Sequence, residues 1–143
     1  VVRSVDAGTL ALWLSRVRLV FGVTAIVAPG LAARATSGKP EAVGIEPQLA
    51  RMLGARDIAL ALGTILALDH GAPVRGWLEG SALADAGDAV ASLAGRKQVE
   101  QRSFIGTVSL ASASAVLCAI LARRLDPAPS ADPGQPEAAV TKS

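Results

Sequence analysis

Residues 54–91 read GARDIALALGTILALDHGAPVRGWLEGSALADAGDAVA. Two Ala- and Leu-rich runs flank DHGAPV at 69–74, a short connection carrying one Gly and one Pro. A connection this short makes successive helices antiparallel neighbours. Arg56 and Asp57 lie on the inward run, and Asp85 and Asp88 on the return. Counted from the connection at 1.5 Å per residue, Arg56 and Asp57 sit about 16–18 Å deep and the two later aspartates about 15–20 Å deep. Asp85 and Asp88 are spaced i, i+3 and share a helical face. Arginine and aspartates at matching depth on adjacent helices are expected to pair, with Arg56 taking a carboxylate through two parallel hydrogen bonds.

Further apolar runs lie on either side of this hairpin. Residues 10–28 form one, ended by Pro29-Gly30, with Thr9 or Ser4 as its cap. Residues 49–68 and 75–94 are the hairpin itself. Residues 104–122, FIGTVSLASASAVLCAILA, carry no charge. Each run is close to the roughly 20 residues needed to cross a hydrocarbon core about 30 Å thick. The chain is 51% hydrophobic with only 3% aromatic residues, and its mean hydropathy is +0.44. These values favour a membrane over a soluble bundle. The expected fold is all-α: an up-down four-helix transmembrane bundle over residues 1–125, with both termini on one side. Residues 126–143, rich in Pro, Ala and Ser, read as a disordered tail.

The first run also contains Arg16 and Arg18. Either it spans from Val17 onward with its first turns at the interface, or the arginines reach out along their stems to the headgroups. Ala33-Arg34-Ala35 also matches a signal-peptidase site, so cleavage near residue 35 is a rival reading of this run. Trp13 and Trp77 fall near the same face, as in an aromatic belt. Small residues recur every fourth position at Ala55, Ala59 and Gly63, at Gly87, Ala91 and Gly95, and at Thr107, Ala111, Ala115 and Ala119. Such rows let helix backbones approach closely in lipid.

Insertion energetics single out the hairpin. Six Leu and two Ile between 49 and 68 return roughly 4 kcal/mol, against about 6 kcal/mol for a central Arg and Asp. The third run is less apolar and carries Glu79, Asp85 and Asp88, so it is expected to enter together with the second. Arg56, Asp57, Asp85 and Asp88 are therefore the candidate site. As polar glue they fix helix register. As a functional group they mark an ion path or substrate site, since one Arg facing three Asp leaves surplus carboxylate.

One Cys and one His assemble no zinc or haem ligand set, so no metal or cofactor is expected. The basic residues cluster at run ends rather than on one stripe, which disfavours nucleic acid as a partner. No nucleophile–base pair, phosphate loop or dinucleotide fingerprint occurs. The expected function is that of a non-enzymatic accessory or scaffolding subunit of the cell membrane. It would work through helix contacts with another membrane protein or with its own copies. Two alternatives stay open: a small proton- or ion-coupled transport element, and a small membrane enzyme acting on a lipophilic substrate.

The pieces Leu53-Gly54-Ala55-Arg56-Asp57 and Asp85-Ala86-Gly87-Asp88-Ala89 resemble those of small uncharacterised four-helix membrane proteins common in actinobacteria, which form domains of unknown function. The resemblance covers residues 49–95. It implies the same fold and no known activity. The Asp-x-x-Asp spacing is also similar to that of phosphatidyl-alcohol transferases. Here Asp88 is followed by Ala89-Val90-Ala91 and no second Asp pair exists, so that family is excluded.

Overall fold

The computed structural model describes residues 6–32, 45–95 and 101–125. Four long helices account for most of them: α1 (Ala7–Val27), α2 (Ile45–Asp69), α3 (Arg75–Ala94) and α4 (Gln101–Leu125). No strand occurs among the described residues. The tail at 126–143 and the signal-peptidase motif at 33–35 lie outside them.

Helix limits follow local chemistry. Asp6, rather than Thr9, caps α1, and Ser4 lies outside the described residues: the Asp6 carboxylate accepts from the Thr9 N–H at 3.4 Å and its carbonyl from the Leu10 N–H at 3.0 Å. The helix therefore starts three residues earlier than the apolar run. Pro29 ends it, because a proline disfavours helical geometry in the residue before it. Ala28 leaves the helix at φ −131°, ψ 64°, and a further helical turn follows at 29–32. Helix α2 begins four residues before the apolar run and accommodates Pro47 in its first turn, where a backbone N–H has no helical acceptor. It closes in a Schellman motif. The Ala72 N–H donates to Ala67 O at 2.8 Å and the Gly71 N–H to Leu68 O at 3.4 Å, with Gly71 at φ 62°, the left-handed geometry that this cap requires.

The helices pack as two close pairs, α1 with α2 and α3 with α4, while α2–α3 and α1–α4 meet more sparsely. The short 69–74 connection does make α2 and α3 neighbours, as expected, but the closest packing lies in the other two pairs. The α1–α2 contact is made by backbone. A Cβ added to Gly22 would lie 2.8 Å from Gly54 O, and one added to Gly54 would lie 2.6 Å from Gly22 O. The small-residue rows read from sequence are displaced from this contact. Ala55, Ala59, Gly87 and Ala91 are exposed, and Gly63 lies under the Trp77 ring. Only the α4 row, half-buried along its length, faces inward.

The inward residues recur every three to four positions. In α1 they are Ala11, Ser15, Gly22 and Ala25; in α2, Gly54, Asp57, Ala61, Thr64 and Ala67; in α3, Leu78, Ser81, Asp85 and Ala89. This is the seam of antiparallel helices packed side by side. At one end of the bundle Ala11, Ala67, Val74, Leu78, Leu121 and Ala122 form an apolar plug. The middle is polar.

Polarity is inverted relative to a water-soluble bundle. The buried set is dominated by Ala, Ser, Thr and Asp, while large side chains face outward, among them Val20 (66% exposed), Val27 (77%), Leu83 (74%) and Leu110 (73%). Two helical segments, Ala7–Val27 and Phe104–Leu125, are long and apolar enough to cross a membrane. The charges of α2 and α3 keep those helices from meeting the same criterion alone.

Candidate functional site: a charge clasp across four helices

Arg18 joins the four residues singled out from sequence. It comes from α1, Arg56 and Asp57 from α2, Asp85 and Asp88 from α3, and Ser114 and Cys118 border the group from α4. Arg18 lies about 16 Å along α1 from Ala7 and about 14 Å from Val27, and Asp85 divides α3 in nearly the same proportion. The cluster therefore occupies the middle of the bundle.

Its inner half is centred on Arg18. The guanidinium donates to Asp57 Oδ1 at 3.0 Å, to Asp85 Oδ2 through a short contact, and to Ser114 Oγ at 3.4 Å. The side chains of Arg18, Asp57 and Asp85 are each only 9% exposed. The outer half is a fork-to-fork pair: Arg56 NH1 and NH2 donate to Asp88 Oδ1 and Oδ2 at 2.9 and 2.7 Å. Arg56 NH2 also reaches Asp57 Oδ1 at 3.1 Å. These outer side chains are 31% and 35% exposed and sit where α2 and α3 pack sparsely. Asp57 Oδ1 thus accepts from both arginines and couples the two halves.

Two corrections follow. Asp85 pairs with Arg18 and not with Arg56. Arg18 is a buried partner and not an interfacial anchor. The charge balance changes with it, since two Arg face three Asp and the surplus falls to one carboxylate. Sequence reading grouped Arg18 with Arg16 because both interrupt an apolar run. The distinguishing signal is angular: position 18 falls in register with 11, 15, 22 and 25, whereas position 16 faces out.

The clasp ties the two close pairs together. Arg18–Asp85, Arg18–Ser114 and Arg56–Asp88 all cross from the α1/α2 pair to the α3/α4 pair. Among the described residues no group of His, Cys, Asp and Glu has metal-binding geometry. Cys118 is a buried free thiol beside the clasp. His70 lies outside it, at the end of α2, with Nδ1 donating to Leu66 O at 2.8 Å. With its carboxylates held by arginines from neighbouring helices, the arrangement links all four helices through side-chain hydrogen bonds.

No protein-family model matches this chain, and neither the curated proteins nor the solved structures searched contain a match.

Proposed function

We propose that this chain is a multi-pass integral protein of the cell membrane, an up-down four-helix transmembrane bundle. In this reading it works as a non-enzymatic accessory or scaffolding subunit through lateral helix contacts. The observation that carries the reading is the inverted polarity: charges and small residues inside, large aliphatic side chains outside. In water such a surface aggregates, whereas in lipid it is the solvated face. The clasp supports the same reading. Ionisable groups within a bilayer face the bundle interior and pair with one another. The paired charges of the clasp let α2 and α3, each too charged to insert alone, enter together. The likeness of residues 53–57 and 85–89 to small actinobacterial four-helix membrane proteins belongs to the same proposal.

A second reading, a proton- or ion-coupled transport element, draws on the partial exposure of Arg56 and Asp88 at the sparse α2–α3 seam and on the surplus carboxylate. One variant separates the two. Arg18→Met, Arg56→Met, Asp57→Asn, Asp85→Leu and Asp88→Leu together remove the clasp without stranding a charge, an exchange that is often neutral or stabilising. If the clasp is structural, this variant inserts, folds and complements a deletion strain. A folded variant that fails to complement, together with loss of a pH-dependent flux in vesicles, would move the carboxylates to the centre of a transport mechanism.

A further inference from the structure

The outer surface at mid-depth carries one charge that the clasp does not use. Arg16 is exposed on α1, about 14 Å from Ala7 and about 16 Å from Val27. Among the described residues it is the one exposed charged side chain in the middle third of the bundle. Its guanidinium stacks on the Trp13 ring, 5.7 Å from the centroid. Trp13 itself lies about 9 Å inside the helix start, so leaning that way does not carry the charge to a headgroup. Around Arg16 is an open notch of about 220 Å³, lined by Trp13, Val17 and Val20.

Resting on the membrane reading above, we infer that this notch docks a transmembrane helix of another protein carrying an Asp or Glu near its midpoint. Charge complementarity selects that occupant. A cation at this depth is costly in bare lipid and is relieved by a carboxylate at the same level. A second copy of this chain does not supply one from its described residues: Asp57, Asp85 and Asp88 are engaged by Arg18 and Arg56, and Glu79 by Arg75. Asp6, Glu46 and Asp69 lie at helix ends. The stacked Trp13 and the flanking valines supply the apolar wall against which such a helix packs.

The test uses the full chain in phosphatidylcholine vesicles with a leucine-based transmembrane peptide bearing one central Glu, and a matched peptide bearing Gln. Association is read by energy transfer from a fluorophore at Ala72→Cys, in a Cys118→Ser background, to the peptide terminus. The Glu peptide is expected to associate about tenfold more tightly, the scale of one interhelical polar contact. The preference should vanish in Arg16→Leu while helical content and unfolding midpoint stay unchanged. Equal binding of the two peptides would overturn the proposal. So would a preference retained in Arg16→Leu, which would place the Glu at the clasp. Loss of the preference when phosphatidylglycerol is included would assign Arg16 to a lipid phosphate and equally overturn it. A chain extracted from the vesicles by alkaline carbonate would remove the membrane reading itself, an outcome read separately from peptide binding.

Discussion

Replacing Arg18 with Met tests the energetic centre of the clasp. The substitution preserves much of the side-chain volume and removes the charge. Asp57 keeps the hydrogen bond from Arg56 at 3.1 Å, but Asp85 loses its cation while its side chain is only 9% exposed. Removing one partner of a buried pair costs about 3–5 kcal/mol, mostly because the remaining charge is stranded. A domain of this size is stable by roughly 5–15 kcal/mol, so the loss is a large share of the total. Arg56→Met strands Asp88 instead. That carboxylate is 35% exposed at the sparse seam, where it has room to turn away, and the expected cost is about 1–3 kcal/mol. The ranking follows from the geometry: Arg18→Met is more damaging than Arg56→Met. Unfolding by denaturing detergent, followed by far-ultraviolet circular dichroism in mixed micelles, measures both. The double variant Arg18→Met/Asp85→Leu should recover more than about 1 kcal/mol relative to the sum of its single variants, because neither charge is left alone. Wild-type stability of Arg18→Met, or a larger loss in Arg56→Met, would refute this account of the clasp.

Two further predictions concern glycines. Gly54→Ala drives a Cβ to 2.6 Å from Gly22 O and should destabilise by about 1–3 kcal/mol as α1 and α2 separate, whereas Gly87→Ala meets open space and should be neutral or stabilise by up to about 1 kcal/mol through helix propensity; the same detergent titration ranks them. Gly63→Ala puts a Cβ 2.2 Å from the Trp77 ring. It should displace the indole and shift its fluorescence in a Trp13→Phe background, and an unshifted spectrum would show that Trp77 does not rest on α2.

Much of the fold was legible because the helix ends are written in local chemistry. The limits of α3 match the sequence reading at both ends, since Pro73 and Gly95 bracket an uninterrupted helical run. The pairing of helices was harder to read. The short 69–74 connection makes α2 and α3 neighbours, yet a loop constrains only where helix ends lie. How closely two helices approach is decided by which faces lack side chains. Gly22 and Gly54 meet although they are remote in sequence, and a row read one position off, at Ala55 and Ala59, points outward. The site was legible by depth for Arg56, Asp57, Asp85 and Asp88. Arg18 was lost because hydropathy along the chain averages over helix faces. Position around the helix separates Arg18, which ties four helices together, from Arg16, two residues earlier and facing out.

The central claim is that α3, despite Glu79, Asp85 and Asp88, crosses a bilayer as part of the bundle. Single cysteines at Ala72 and at Gly95, at the two ends of α3 in a Cys118→Ser background, report this directly through a membrane-impermeant maleimide applied to intact spheroplasts and to inverted vesicles. Ala72 avoids the left-handed backbone of Gly71, so the probe does not strain the turn. The account predicts that the two positions are labelled from opposite sides. Labelling of both from the same side would contradict it, leaving α3 on the membrane surface.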